Sequence, residues 1–364
     1  MRTRAAVLRS TSAPFTVEDV DLTEPGPGEV LVRVTAAGMC HTDLGGRRPR
    51  PAGAELLPAI LGHEGAGVVE STGPGVTRVR AGDHVVLSFD SCGWCRQCLA
   101  GTPSYCDEFR ERNLTGRRVD GSTGAIATDG TELTSRWFAQ SSFAHHCVAT
   151  ERSVVKVDPE LPLDVLAPLG CGVQTGAGSI LIGLGVTAGD SVAVFGAGAV
   201  GLSAVMAARL TGASRIVAVD LHAKRRELSL ELGATHALDG SDPDLVAQLR
   251  SITGGGLDHA FDTTGVPSVM RTAVEALAPR GALGLAAGAG VVFELPPPML
   301  AGRTITFLLE GNAVPQTFIP QLIEHWQRGR FPFERMIRHY TFDAINDAER
   351  DSTSGETIKP VLVI

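Results

Sequence analysis

A glycine-rich turn between an apolar strand and a helix constrains the fold of this chain more than any other feature. Gly196, Gly198 and Gly201 form a Gly-x-Gly-x-x-Gly motif directly after the apolar run 191–195, and the helical pattern 200–210 follows at once. A tight turn, a close approach to a pyrophosphate and close helix–strand packing each require a residue without a Cβ. We therefore predict a dinucleotide-binding unit, although the motif alone also fits a Gly-rich turn of an unrelated α/β protein.

An acidic residue ends the next predicted strand. Asp220 lies 19 residues after Gly201, where a carboxylate can accept both ribose hydroxyls of a dinucleotide and repels a 2′-phosphate. This favours NAD over NADP as the cofactor. The basic residues Lys224, Arg225 and Arg226 follow closely, and a basic neighbour can accommodate the phosphate; the alternative for them is a solvated helix face.

Two patterns of secondary structure divide the chain. Before residue 90, short apolar runs alternate with Pro/Gly turns, which predicts a small β barrel or sandwich. Further along, strands at 191–196, 215–220 and 259–265 alternate with helices that end in glycine. Such an alternation predicts a parallel sheet covered by helices on both faces. A chain of 364 residues is long enough for two such domains.

Composition narrows the function classes. The formal net charge is −8, and no run of like charges forms the basic surface expected of a nucleic-acid-binding protein. The uncharged stretch 169–189 is broken by seven glycines, so we expect a loop and a buried helix there and no membrane span. The N-terminus shows no apolar segment typical of a secretory signal. Seven cysteines, an odd number, favour metal binding in a reducing compartment, and we expect a cytoplasmic protein.

Four of the cysteines are clustered within fifteen residues. Cys92, Cys95, Cys98 and Cys106 form a C-x2-C-x2-C-x7-C pattern. Four thiolates on a short loop can complete a tetrahedral shell and leave no position for substrate, which predicts a structural zinc site. An iron–sulfur cluster also uses four cysteines with compact spacing and is the alternative.

The other cysteines are dispersed. Cys40 follows a predicted strand, and Cys171 directly precedes the dinucleotide-binding unit. His63 lies beside a glycine in the same β-rich region as Cys40, although a lone histidine is more often a core residue than a ligand. Two thiolates and one imidazole would leave a zinc ion one open position, as a catalytic site requires. The spacing does not show that Cys171 approaches Cys40, and we interpret Cys147 as a small buried hydrophobe.

Several ordered motifs resemble those of the zinc-dependent medium-chain alcohol dehydrogenases. The segment GHEGAGVVESTGPGV (62–76) is similar to the family's zinc signature, and CHTD, the four-cysteine loop, GCGVQTG and VFGAGAVG occur in the family's order. The resemblance covers essentially the whole chain. The segments LSFDSCGWCRQC, WFAQSSFA and GNAVPQTFIPQLIE are most similar to the aryl-alcohol branch, which contains benzyl- and geraniol-type dehydrogenases.

The resemblance implies an α/β architecture of two domains. A GroES-like, β-rich catalytic domain with both zinc sites would comprise 1–172 and 310–364, and a Rossmann domain with a doubly wound parallel sheet would comprise 173–309. The active site would lie in the cleft between them. The family contains homodimers and homotetramers, so we expect a homo-oligomer whose other partners are small-molecule alcohols and aldehydes.

The resemblance also implies a role for individual residues. Cys40, His63 and Cys171 would bind the catalytic zinc, with Glu64 as an occasional ligand, and Asp43 would orient the histidine. Further roles concern the proton and the cofactor. Thr42 would pass the alcohol proton towards the nicotinamide ribose, Val200 would pack on the nicotinamide, Lys359 would meet the pyrophosphate, and Arg225 would lie near the adenosine ribose.

The chain departs from the liver-type enzymes at the end of the proton relay. The position three residues after the relay hydroxyl is a histidine in those enzymes and Gly45 here. Either water or His41 then completes the relay, and the alternative for His41 is a contact to the pyrophosphate. Trp137 and Phe138 are candidates to line the substrate pocket, although an aromatic pair is more often part of a core.

Together these features predict NAD-linked, reversible oxidation of a primary alcohol, with aromatic or allylic alcohols as the expected substrates. The cofactors would be NAD and two zinc ions per chain, one catalytic and one structural. Two alternatives remain open at this point. One is a thiol-dependent formaldehyde dehydrogenase on the same scaffold, and the other is a zinc-stabilised nucleotide-binding protein without catalysis.

Overall fold

The computed structural model describes residues 1–51, 54–288 and 290–364, and its strands agree closely with the predicted apolar runs. The strands are β1 Arg2–Leu8, β2 Thr16–Leu22, β3 Glu29–Gly38, β4 Ala59–Ile60, β5 Glu64–Thr72, β6 His84–Leu87, β7 Ala125–Ala127, β8 Glu132–Leu133, β9 His146–Thr150, β10 Val154–Lys156, β11 Ser191–Phe195, β12 Arg215–Asp220, β13 His236–Asp239, β14 Leu257–Asp262, β15 Leu277–Leu285, β16 Thr304–Phe307, β17 Ile337–Thr341 and β18 Lys359–Val363.

The helices include several single turns around the cysteine-containing segments and longer ones after residue 171. They are α1 His41–Gly45, α2 Arg96–Leu99, α3 Phe109–Asn113, α4 Leu163–Leu166, α5 Gly172–Gly178, α6 Ala199–Thr211, α7 Ala223–Leu232, α8 Leu245–Thr253, α9 Pro267–Ala276, α10 Pro315–Gln327 and α11 Ile345–Ser354. A π-helical segment, Ser179–Gly183, directly continues α5.

The chain divides into two units. The first unit comprises Met1–Cys171, Val314–Ile323 and Glu334–Ile364, and the second comprises Gly172–Ala313 and Glu324–Phe333. The sequence assigned 310–313 and 324–333 to the catalytic domain, whereas the structure groups both with the second unit. Gly311 packs on the backbone of Gln174, which belongs to the second unit and accounts for the placement of 310–313. Within 324–333, Trp326 and Phe331 both contact the ring of Phe333.

The first unit contains two sheets with a shared apolar core. One sheet has the strand order β4-β1-β2-β7-β8, and the other has the order β10-β6-β5-β3-β18-β17 with β9 also paired to β3. All of these pairs are antiparallel except β17 with β18. Residues on the inner faces, such as Leu8, Val32, Leu87 and Phe143, are inaccessible to solvent. This is the predicted β-rich domain.

The second unit is a parallel sheet of order β13-β12-β11-β14-β15-β16 with helices in the crossovers. The strand β11 is buried along its whole length, as expected for a strand covered on both faces. The strand order is that of a doubly wound Rossmann fold. The predicted fold class is therefore confirmed, although β13, a short half-buried strand (His236–Asp239), lacked an apolar run that would have predicted it.

Among the described residues, no single helix has the length and apolar character needed to cross a membrane. One pair of helices, Leu163–Gly170 and Gly172–Gly183, meets the criteria of length and composition together, but the two are bent by 56°.

Candidate active site and metal centres

The four cysteines of the 92–106 loop form one compact cluster. Their sulfurs all lie within 4.8 Å of one another, with 3.9 Å between Cys92 and Cys98 and 4.0 Å between Cys95 and Cys106. Four thiolates around zinc at a Zn–S distance of about 2.3 Å form a tetrahedron with edges of about 3.8 Å. An iron–sulfur cluster spreads its thiolates over different irons and needs wider spacing. The geometry therefore fits zinc.

The loop backbone prepares this cluster for a metal. The amide of Cys92 donates to the sulfur of Cys106 at 3.2 Å, and the amide of Cys95 donates to the sulfur of Cys92 at 3.3 Å. The backbone amides of Asp107 and Cys98 lower the pKa of Cys95 to about 6. Burial raises the pKa of Cys106 to about 12, so a metal must displace its proton.

A second cluster gathers residues from three distant segments of the first unit. Cys40 precedes α1, His63 and Glu64 lie at the start of β5, and Cys171 directly precedes α5. Their ligand atoms lie within 4.8 Å of one another, and Nε2 of His63 is 3.2 Å from the sulfur of Cys171. The fold thus brings Cys171 to Cys40, a proximity that the sequence spacing did not show. Two thiols and one imidazole fit zinc with one position left open.

Asp43 orients the imidazole of His63. Its Oδ1 accepts from Nδ1–H of His63 at 2.7 Å and from the amide of Gly62 at 3.1 Å, and its Oδ2 accepts from the amide of Cys40 at 3.1 Å. Burial alone would lower the pKa of His63, but the Asp43 carboxylate, and after it Cys40, raise that pKa well above the ordinary value in the metal-free protein. Because Nδ1 carries the donated hydrogen, Nε2 is the nitrogen available to a metal.

Glu64 is held by a buried ion pair. The ammonium of Lys359 donates to both carboxylate oxygens of Glu64 at 2.8 Å and to the carbonyl of Met39 at 3.2 Å. Burial opposes the ammonium charge, but the Glu64 carboxylate, and after it Cys40, raise the pKa of Lys359.

The pyrophosphate contact of Lys359 stays a prediction; the structure places its buried ammonium on Glu64. The reason lies in strand register: Gly38 of β3 pairs with both Val361 of β18 and Glu64 of β5, which brings Lys359 onto Glu64. A Cβ at Gly38 would lie 2.1 Å from a carboxylate oxygen of Glu64, so this register requires glycine at that position.

Residues that the sequence analysis missed surround the imidazole. The amide of Gln140 donates to the carbonyls of His63 and Ser88 and accepts from the amide of Gly65. Gln140 lies in the segment WFAQSSFA, which the sequence analysis used only for its family resemblance. Trp137 and Phe138, the candidates for the pocket lining, are both buried, and the ring of Phe138 stacks on His63 with centroids 4.5 Å apart.

The residues of the predicted proton relay lie on α1. His41 and Thr42 are both exposed at the start of this helix, and Gly45 is its last residue. Apart from its own helix, no described part of the chain lies within 4 Å of a Cβ built on Gly45, so the end of the predicted relay opens onto free space. Cys147, in contrast, is buried in β9, and burial raises the pKa of its thiol to about 12, as suits a small hydrophobe.

The glycine-rich turn of the second unit has the predicted geometry. Gly196 has a φ of +91°, and a Cβ on Gly201 would lie 1.8 Å from the Gly196 carbonyl oxygen, so both positions require glycine. Gly198 caps the N-terminus of α6, and Val200 lies half-buried in its first turn.

Asp220 ends β12 beside this turn. Its Oδ2 accepts from the amide of Ala197 at 2.7 Å, and its Oδ1 accepts from the amide of His222 at 2.8 Å. The guanidinium of Arg225 lies 4.0 Å from the same carboxylate, whereas Arg226 pairs with Asp239 at 3.1 Å. The structure thus places Gly196, Gly198, Gly201, Asp220 and Arg225 around one turn.

These two units define the class of the protein: a metal-dependent dehydrogenase with a Rossmann fold. Comparison with known families agrees. Residues 26–159 match the family described as "Alcohol dehydrogenase GroES-like domain", and residues 199–327 match "Zinc-binding dehydrogenase". The chain is 45% identical to a geraniol dehydrogenase of Castellaniella defragrans, over 99% of this chain and 97% of that protein.

Two solved structures are similar over their whole length. A zinc-binding-domain alcohol dehydrogenase of Burkholderia ambifaria is 48% identical with a TM-score of 0.96, and a benzyl alcohol dehydrogenase of Acinetobacter calcoaceticus is 42% identical with a TM-score of 0.94. Each comparison covers 100% of this chain and 99% of the other. The chain therefore belongs to the zinc-dependent medium-chain alcohol dehydrogenase family, as predicted, and is a zinc-dependent alcohol dehydrogenase.

Proposed function

We propose that the chain catalyses the reversible, NAD-linked oxidation of primary aromatic or allylic alcohols to aldehydes. The convergence of Cys40, His63 and Cys171 carries this proposal, since the three side chains can hold zinc and leave one position for the substrate. The relatives named after geraniol and benzyl alcohol, an allylic and an aromatic alcohol, support the substrate class.

Each residue around this cluster has a defined task in the proposal. A zinc ion held there supplies a Lewis acid that lowers the pKa of an alcohol. Asp43 keeps Nε2 of His63 directed at the metal position. Lys359 balances the charge of Glu64, which lies close enough to serve as an occasional ligand.

The proton leaves by a different group. The hydroxyl of Thr42, exposed on α1 two residues after Cys40, accepts the alcohol proton and passes it on. Because Gly45 carries no side chain, water receives the proton next. His41 either assists as a base or contacts the cofactor phosphates.

The second unit binds the cofactor in the proposal. NAD supplies the acceptor for the hydride. The backbone amides of the Gly196–Gly201 turn hold the pyrophosphate at the N-terminus of α6, and Val200 packs on the nicotinamide. Asp220 accepts the ribose hydroxyls with the lone pairs that its two backbone bonds leave, and Arg225 lies near the adenosine ribose.

A substrate panel tests the proposed reaction. We expect zinc analysis to give two zinc ions per chain, and aromatic and allylic primary alcohols to reduce NAD faster than short saturated ones. Activity with formaldehyde only in the presence of a low-molecular-weight thiol would instead identify a thiol-dependent formaldehyde dehydrogenase. Bound NAD without turnover of any alcohol would indicate a non-catalytic nucleotide-binding protein.

Cofactor preference gives a separate test at Asp220. We expect a preference for NAD over NADP of at least about tenfold in kcat/KM, equivalent to about 1.4 kcal/mol. Asp220→Gly should narrow or reverse this ratio because it removes the charge that repels a 2′-phosphate and leaves Arg225 nearby. Equal use of both cofactors by the unmodified enzyme would contradict the assignment.

We also propose a structural zinc on Cys92, Cys95, Cys98 and Cys106, and a homodimer or homotetramer as the assembly. The edge strand β16 ends at Phe307, which is 41% exposed, and the loop residue Val292 is 82% exposed; these features support contact with a second copy. Among the described residues, six of the cysteines gather in two candidate metal sites, which supports a cytoplasmic location. Light scattering after size-exclusion chromatography measures the assembly.

A further inference from the structure

The indole of Trp137 contacts the carboxylate that orients the metal-ligating histidine. Its Nε1–H donates to Oδ1 of Asp43 at 3.1 Å, the same oxygen that accepts from His63 and from the amide of Gly62. An indole N–H can only donate, so the direction of this hydrogen bond is unambiguous. Asp43 is inaccessible to solvent and Trp137 is 3% exposed, so this hydrogen bond is shielded from bulk solvent.

The backbone around Trp137 is held in a costly conformation. Phe138, Ala139 and Ser141 have φ values of 49°, 55° and 55°, in the left-handed region that side chains other than glycine rarely adopt. Such a conformation is unfavourable and persists only where surrounding contacts impose it. Here the hydroxyl of Ser141 accepts from the amide of Trp137 at 2.9 Å and donates to the carbonyl of Ile60 at 2.6 Å.

This strained segment contacts His63 from three directions. The indole of Trp137 binds the carboxylate on the Nδ1 side, the ring of Phe138 covers one face of the imidazole, and Gln140 binds the His63 carbonyl. Only Nε2 of the imidazole is left to face the cluster with Cys171.

We propose that Trp137 is a positioning residue for His63, acting through Asp43, and that its indole N–H strengthens the hold of the site on zinc. The inference rests on the proposed catalytic zinc on Cys40, His63 and Cys171. Without the indole N–H, Oδ1 of Asp43 keeps two of its three donors, and the carboxylate gains freedom to rotate. The imidazole that it orients then loses its fixed direction towards the metal.

Packing and hydrogen bonding at Trp137 must be separated by the experiment. The indole also packs edge-on against Phe138, with centroids 5.3 Å apart, and carries the guanidinium of Arg50 at 5.4 Å. Trp137→Phe changes both the packing and the hydrogen bond. Incorporation of 3-benzothienylalanine at position 137 removes only the N–H because sulfur replaces nitrogen in a ring of nearly the same shape. Trp326→Phe, at a half-buried tryptophan that contacts Phe333, is the matched control.

The decisive measurement is the rate at which each zinc-loaded protein releases metal to a chromogenic chelator. We expect one of the two zinc ions per chain to leave about tenfold faster in Trp137→Phe and in the benzothienyl protein, as for other outer partners of metal ligands. In both proteins kcat should fall more than KM for the alcohol changes, and the absorption bands of cobalt at the second cluster should shift. Trp326→Phe should show none of these effects.

Two results would contradict the inference in different ways. Release rates and cobalt spectra equal to those of the unmodified enzyme, in the benzothienyl protein, would show that Trp137 acts only by packing. An unmodified enzyme with a single zinc per chain would overturn the proposed catalytic site itself, and the role of Trp137 with it.

Discussion

The two cysteine clusters of the first unit both gather candidate metal ligands, but one draws them from a single loop and the other from three remote segments. The closed cluster takes all its ligands from fifteen consecutive residues, and backbone amides of the same loop surround its sulfurs. The open cluster takes Cys40, His63 and Cys171 from three remote segments, and side chains from further elements hold them. One loop therefore supplies every ligand of the closed cluster. The open cluster, with its proposed free coordination position, depends on side chains from several elements of the domain.

The largest expected difference between the clusters concerns turnover. His63→Ala should reduce kcat by more than about 10³-fold, because the proposed catalytic zinc would lose a ligand. The protein should stay folded and keep one zinc per chain. Cys95→Ser is the matched control at the closed cluster and should instead lower the folded yield, since structural zinc contributes folding free energy. Steady-state kinetics and zinc analysis of the two purified variants check this, and an active His63→Ala enzyme would contradict it.

Alcohol oxidation at the open cluster should also depend on the hydroxyl of Thr42, whereas the closed cluster needs no such group. Thr42→Ala should cut alcohol oxidation by about 10²-fold, the scale of a positioned proton transfer, and Thr42→Ser should retain most activity. The measurement is kcat over a range of pH. If His41 is the terminal base, His41→Gln slows the reaction chiefly at lower pH; a phosphate contact would raise the KM for NAD instead. An unchanged Thr42→Ala enzyme would exclude the relay.

The smallest expected effect is the pH dependence of metal binding at the closed cluster. Cys106 has a pKa of about 12 in the metal-free loop, so zinc must displace its proton at any pH near neutrality. Cys95, with a pKa of about 6, is already ionised there. Zinc affinity should therefore rise by at least about tenfold per pH unit between pH 7 and 8, and fall as pH falls. Competition titrations measure it in Cys40→Ala, which confines zinc to the loop; a flat profile would contradict the assignment.

The same contrast explains how far the sequence could predict the molecule. The four-cysteine loop and the Gly196–Gly201 turn are local motifs, so the residues that act together are close in the sequence. The proximity of Cys171 to Cys40 was implied only by family resemblance, because it depends on the packing of distant strands. The Glu64–Lys359 pair was not predicted at all. It follows from the register of β18 on β3, and the motif around Lys359 carries no sign of that register.

Trp137 also makes a contact that could not be predicted from the sequence. The sequence placed it either in the pocket or in the core, and both interpretations considered only its apolar ring. Its hydrogen bond to Asp43 depends on three residues with positive φ, none of them glycine, and no sequence pattern marks such a conformation. Residues 310–313 were likewise assigned to the other unit because the contact of Gly311 with Gln174 is not visible in the chain order.

The open space at Gly45 has a consequence for how such an enzyme exchanges protons with its medium. Apart from its own helix, no described part of the chain lies within 4 Å of a Cβ at that position, so the route from Thr42 ends in open space. In the proposed relay, the last carrier is then a component of the solution and no part of the polypeptide. The turnover rate at fixed pH thereby becomes sensitive to the chemical identity and concentration of the buffer.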